Sequence, residues 1–267
     1  TVYKSSAASD VYKRQGPGLE GGWEGRRVMA VIGGGGYADY VVIHSGEAVV
    51  VPDELDLIRA AAVPEVFTTA FDALVLQAAL SPEETLLIHA VGSGVGTAAL
   101  QLAKRIGARV IGTSRTREKL AAAEALGLDV GVVGDEGWSD SVIQATSGSG
   151  VDVVLDLVGA AYAHGSQRVL GQFGRWMVVG IPGGAIAEVD LGRLIRKRAT
   201  LRGTVLRSRH LDEKVALARS FEAEVLPGLA DGTLQPVVDR VLPAEDAAEG
   251  HRVMESNLNF GKILLRW

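Results

Sequence analysis

The sequence holds no cysteine in its 267 residues. That absence excludes disulfides, thiol nucleophiles and every cysteine-containing zinc site. The five histidines, His44, His89, His164, His210 and His251, stand far apart, with no pair at the helical spacing of metal ligands, so no metal site is expected. Positive charge is not in excess either. The formal net charge is −5 and no basic block occurs, so there is no sign of a nucleic-acid surface. No apolar run reaches the ~18 residues needed to cross a membrane, and the front of the chain lacks the charged-then-apolar layout of a signal peptide. The expected location is the cytoplasm. What is present, 47% hydrophobic and 22% charged residues over a length that allows one large domain or two modest ones, suits a globular protein with a real core.

Residues 1–15 show neither helical nor strand periodicity. "DVYKRQ", from Asp10 to Gln15, resembles the translation of a transposon-end adaptor, and the stretch reads as a non-native tail; a disordered native tail is the other reading. From Val28 to Val51 the text reads as short β segments: "RVMAVI", the punctuation "GGGG", then "YADYVVIH" and "AVVVP". Residues 57–79 have helical spacing, with a break or restart at Pro64. "SPEE" from Ser81 to Glu84 matches a capping box, but "TLLIHA" follows at once and has strand length, so a turn into a buried strand is expected. Strands are then expected at 85–90, 109–113, 130–133, 151–157, 175–180 and 201–206, and helices at 97–106, 116–126, 137–146, 162–171 and 191–197. The near-continuous apolar runs "VDVVLDLVG" and "RWMVVG" suit parallel strands covered on both faces, and the alternation indicates a doubly wound α/β sheet. From His210 the pattern becomes a long amphipathic helix up to Gly232, "VVDRVLP", a second helix and the strand "KILLRW".

"HAVGSGVG", from His89 to Gly96, follows the first strand of this alternation and enters a helix. Counting from Gly92, Thr97 stands where the third glycine of G-x-G-x-x-G would fall, so the motif alone is weak. Its context is stronger. Backbone N–H groups at a helix N-terminus bind a pyrophosphate, and Gly94 and Gly96 allow the close approach. A tight turn with no ligand is the alternative. An NAD site needs an acid at the end of the second strand, and "GTSRTREK" from Gly112 to Lys119 has none there. Ser114 can hydrogen-bond a 2′-phosphate, and Arg115 and Lys119 can neutralise it, with Arg117 in reserve. Cations at a helix start oppose its dipole, which points to a bound anion and to NADPH over NADH; the bland reading is a solvated helix start.

The pieces "GRRVMAVIGGGGYADYVV", "AAAVPEVFTTAFDAL", "LIHAVGSGVGTAALQLAKRIGA", "VIGTSRTREKL", "GVDVVLDLVG", "LRGTVLRSR" and "NLNFGKILL" together resemble the zinc-free, zeta-crystallin-like quinone oxidoreductases of the medium-chain dehydrogenase/reductase superfamily. The resemblance spans about residues 20–267. It implies a Rossmann domain, residues 66–206, inserted into a partial chaperonin-10-like β-barrel domain, residues 16–65 and 207–267. It implies NADPH as cofactor, a small quinone or related α,β-unsaturated carbonyl as substrate, hydride transfer without metal, and a homodimer. It also implies contacts. Ser93, Gly94, Val95 and Gly96 would face the pyrophosphate, and Ser114, Arg115 and Lys119 the 2′-phosphate. Val158, Gly159, Gly180 and Ile181 would line the nicotinamide side, with Thr69 at the nicotinamide ribose. Val205, Leu206 and Arg207, with Asn257 and Asn259, would close the cleft.

Two departures stand out. The family often places a tyrosine after the third strand, near the 2′-phosphate, where "VGVVGDEG" has none. A complete member also carries a longer front, with an N-R-x-D-like segment near the substrate; with the adaptor-like start, the chain reads as N-terminally truncated. Apolar surface and open sheet edges are therefore expected in residues 20–60. No residue stands out as a general acid. His89 reads as a structural histidine, and Asp152 and Asp156 as groups that orient backbone. An inactive NADPH-binding module and an enoyl reductase on the same scaffold remain the alternatives. A methyltransferase-type Rossmann domain would want an acid after the second strand.

Overall fold

A computed structural model describes residues 7–11, as backbone pairing only, and residues 22–267. The chain divides into two compact units: residues 1–68 with 206–267, and residues 69–205.

The first unit opens with an antiparallel sheet of β1 (Ala7–Val11), β2 (Arg27–Val31) and β3 (Val49–Val50), with β2 in the middle. β1 falls inside the stretch read as a tail without strand periodicity. Its register, Ala7 opposite Val31 and Val11 opposite Arg27, rests on backbone groups, which need no side-chain alternation. Residues 1–6 and 12–15 of that tail lie outside the described residues. "YADYVVIH" forms no strand, contrary to the sequence reading. β-propensity measures fit to a half-buried pleated surface; here Tyr40 is 75% and Val42 97% exposed, and no strand pairs with them among the described residues.

Asp56 caps α1 (Leu57–Ala61) by accepting from Arg59 N at 2.9 Å, and α2 (Pro64–Phe71) restarts at Pro64, where a missing N–H costs nothing. Helix then continues as a π-helical turn over Asp72–Gln77, with Ala78 N donating to Ala73 O five residues back at 3.0 Å. The sequence gives no sign of this wider winding, which inserts a residue and is rare outside functional or strained places.

The second unit is a six-stranded, all-parallel sheet with helices between its strands. In chain order these are β4 (Thr85–Ile88), α3 (Gly94–Ile106), β5 (Arg109–Ser114), α4 (Arg117–Glu124), β6 (Val130–Val133), α5 (Trp138–Ala145), β7 (Val151–Asp156), α6 (Ala160–Val169), β8 (Leu170–Val178), α7 (Leu191–Lys197) and β9 (Thr200–Gly203). The strand order β6-β5-β4-β7-β8-β9 is that of a doubly wound Rossmann sheet, with its switch point between β4 and β7. Leu86, Leu87, Ile88, Val153, Val154 and Leu155 are fully buried, as strands covered on both faces require. "SPEE" is a turn: Ser81 N donates to Glu84 Oε2 at 2.8 Å, and β4 follows. α6 ends two residues early because Leu170 already pairs with Val151, after which the register of β8 shifts to set Arg175 against Val153. Phe173 takes up the shift at φ +59°, under the Arg198 guanidinium.

The chain then returns to the first unit. The long helix expected from 210 is split into α8 (Leu211–Glu224) and α9 (Leu226–Ala230) because Pro227 cannot donate within a continuous helix. β10 (Val238–Pro243), α10 (Ala247–Ser256) and β11 (Lys262–Arg266) close it, with β10 and β11 paired in parallel.

Candidate cofactor site

The switch point places three loops side by side at the carboxyl ends of β4, β5 and β7, where open α/β sheets bind ligands. After β4 the ladder continues without regular strand. His89 N donates to Leu155 O and Val91 N to Thr113 O, both at 3.0 Å, so this turn is tied to both neighbouring strands. Ala90 takes up φ +52° to start the turn. Ser93 caps α3, its hydroxyl accepting from Gly96 N at 3.1 Å, and leaves Gly94, Val95 and Gly96 as the first helical turn. Gly96 has no alternative. A Cβ there would stand 2.5 Å from Ala90 O and 2.6 Å from Val91 O, both backbone atoms. The irregular motif therefore has its essential glycine where helix presses on strand, and Ala98, Ala99 and Ala103 keep the same face thin.

At the end of β5, Ser114 is buried, and its carbonyl accepts from Gly134 N at 2.8 Å, joining this loop to the one after β6. Arg115 is exposed. Thr116 caps α4, accepting from Lys119 N at 3.4 Å, so Lys119 lies in the first turn of a helix whose start also carries Arg117.

After β7, the fully buried Asp156 shapes the third loop. One carboxylate oxygen accepts from Val158 N and Gly159 N at 2.8 Å each, and the other from the Trp176 indole at 3.0 Å. Burial pushes the Asp156 carboxyl up, and the three donors pull it back. Gly159 sits at φ +88°, and a Cβ there would meet Gly184 O at 2.7 Å. Gly183 N donates to Val158 O at 2.7 Å and Ala160 N to Gly184 O at 2.9 Å. These bonds bring the Val158–Gly159 loop against the Gly180–Ile181 loop, with the Ile181 side chain exposed. Asp152 accepts from Thr85 N at 2.8 Å, so both aspartates orient backbone.

His89 is a structural histidine. It is fully buried between Thr113 Oγ1 at 3.1 Å and Ser166 Oγ at 2.9 Å, with the Trp138 and Tyr162 rings edge-on, and burial lowers its pKa to about 3.

Thr69 is buried on α2 ahead of the π-helical turn. From that turn, the buried Asp72 accepts from Gln77 Nε2 at 2.6 Å and from Thr204 Oγ1 at 3.0 Å. This fastens the Thr69 segment to the backbone leading into the exposed Val205, a link that sequence reading missed because it spans more than a hundred residues. Leu206, Arg207, Asn257 and Asn259 belong to the other unit. There Leu206 and Arg207 line an apolar hollow with Met29, Ile32, Val49 and Phe221. Asn257 caps α10 at φ +56°, and Asn259 donates to Gly261 O at 2.9 Å, both local backbone duties.

Comparison with known proteins agrees with this architecture. The model of the family described as zinc-binding dehydrogenase matches residues 94–225. A solved NAD-dependent alcohol dehydrogenase is 32% identical with a TM-score of 0.88, over 99% of this chain and 82% of that one. A mycobacterial protein complexed with NADPH is 27% identical with a TM-score of 0.90, over 97% and 81%. The quinone oxidoreductase of Sus scrofa is 29% identical over 86% of this chain and 69% of its own length. The highly reducing polyketide synthase cm3B of Cordyceps militaris is 34% identical over 86% of this chain, which spans only 9% of that synthase. The chain belongs to the medium-chain dehydrogenase/reductase superfamily. The described residues offer no donor set for the zinc in the family description. The sequence has no cysteine, and among the described residues no three His, Asp or Glu side chains are grouped to hold a metal.

Proposed function

We propose that the protein is an NADPH-dependent reductase of quinones or related α,β-unsaturated carbonyls that works without a metal. The observation that carries the cofactor assignment is the end of β5: a buried Ser114 hydroxyl, followed by Arg115 and Lys119, with no carboxylate at the strand end to repel a 2′-phosphate. Backbone N–H groups of Gly94, Val95 and Gly96 would receive the pyrophosphate, aided by the helix dipole. The tied Val158–Gly159 and Gly180–Ile181 loops would hold the nicotinamide face, and Thr69 and Val205 would flank it. NADPH, when bound, supplies the hydride; the protein supplies orientation and a water-poor surface.

Fluorescence titration tests the assignment: NADPH should bind at least ~10-fold tighter than NADH, and Arg115→Ala should erase most of that margin. Equal affinities in the unaltered chain would end the NADPH reading. Enoyl reduction on the same scaffold is the second reading; a highly reducing polyketide synthase matches the chain as closely as the pig quinone oxidoreductase does. NADPH oxidation measured with benzoquinone and with an enoyl thioester separates the two.

A further inference from the structure

The loop after β6 has no side chain at Gly134, yet the space beside it is filled. The Tyr162 hydroxyl, reaching across from the first turn of α6, donates to Gly134 O at 3.1 Å. A Cβ at residue 134 would overlap that hydroxyl oxygen, so Gly134 and Tyr162 are a matched pair. The same Gly134 donates through its N–H to Ser114 O at 2.8 Å, which puts the Tyr162 hydroxyl next to the strand end that carries Ser114 and Arg115. The ring cannot swing away freely. Trp138 stacks on it with centroids 5.1 Å apart, and His89 meets it edge-on at 4.9 Å. Burial pushes the Tyr162 hydroxyl up, the Arg115 guanidinium draws it down and Asp135 opposes that, so it remains a protonated donor at neutral pH with Arg115 in its field.

We infer that the Tyr162 hydroxyl is a specificity-determining contact for the ribose 2′-phosphate, reaching from α6 into the space that Gly134 leaves open. This rests on the NADPH reading of Ser114, Arg115 and Lys119. The hydroxyl would turn from the neutral Gly134 carbonyl to a phosphate oxygen, a stronger acceptor because it is charged, while the Trp138 stack keeps the ring in place.

The test is Tyr162→Phe, which keeps the stacked ring and removes one oxygen, titrated in the full chain with NADPH, NADH, 2′,5′-ADP and ADP. The two ligands that carry a 2′-phosphate should weaken by about tenfold, the size of one charge-assisted hydrogen bond, and the two without it should be unaffected. Gly134→Ala, which displaces the hydroxyl, should show the same selective loss, and the double variant no further loss. Equal weakening of all four ligands would mark a merely structural tyrosine and overturn the assignment. So would a full 2′-phosphate preference retained in Tyr162→Phe, which leaves the NADPH reading standing. An unaltered chain with no 2′-phosphate preference overturns both.

Discussion

The two units differ in how fully their sheets and loops are covered. In residues 69–205 the central strands are covered on both faces, and the polar side chains among them are fully buried: His89, Asp156 and Ser166 show no exposed surface. Each has named partners, because an unmet donor or acceptor there forfeits its hydration with nothing in return. In the other unit, β10 and β11 form a two-stranded sheet whose Val241 is 40% exposed, and Tyr40 and Val42 stand in solvent. A site that must hold a ligand to within tenths of an ångström gains from the first arrangement, in which one carboxylate fixes a whole loop.

The sharpest way to break the contrast is Asp156→Ala. Three buried donors would lose their acceptor, at a cost of about 3 kcal/mol or more, and thermal unfolding should come about 10 °C earlier. Asp156→Asn, which keeps acceptor oxygen for part of the set, should lose less. A shift of a degree or two in the alanine variant would mean the loop is held by other contacts.

Next in size is a pH effect from His89. Its pKa is about 3 in the folded protein against 6.5 for the free side chain, so the unfolded chain takes up a proton that the folded one refuses. Stability from this group is complete above 6.5 and falls as the pH drops from there toward 3, by about 1.4 kcal/mol per pH unit. Unfolding free energies from urea titrations at pH 7 and pH 5 should differ by roughly 2 kcal/mol from this source, and His89→Asn should remove that difference. An asparagine variant with an undiminished slope would move the effect to other groups.

The smallest effect belongs to the open unit. Val42→Ser should change stability by less than ~0.5 kcal/mol, since the valine is 97% exposed. A clear loss would show that the segment packs on something in solution.

The same contrast explains what the sequence made legible. Buried parallel strands announce themselves as unbroken apolar runs, so "TLLI" and "VDVVLD" are legible as strands, and the place of the glycine turn between β4 and α3 is legible despite its irregular spacing. "YADYVVIH" misled because strand-like composition does not supply a pairing partner. Tyr162 went unnoticed for a related reason. The loop after β6 has no tyrosine of its own; Tyr162 reaches it from a helix 28 residues further on, and only the fold shows that Gly134 makes room for it. The Asp72–Thr204 bond is equally invisible, being a meeting of distant segments with no local signature.

Ser93 has one more consequence. Its hydroxyl satisfies Gly96 N, so the chain itself supplies the acceptor that completes the start of α3. An anion arriving there would not have to organise a loose loop; it would trade places with an acceptor the chain provides for itself. The entropy of ordering is settled during folding, and association at this loop would be governed by how readily the newcomer sheds its own water.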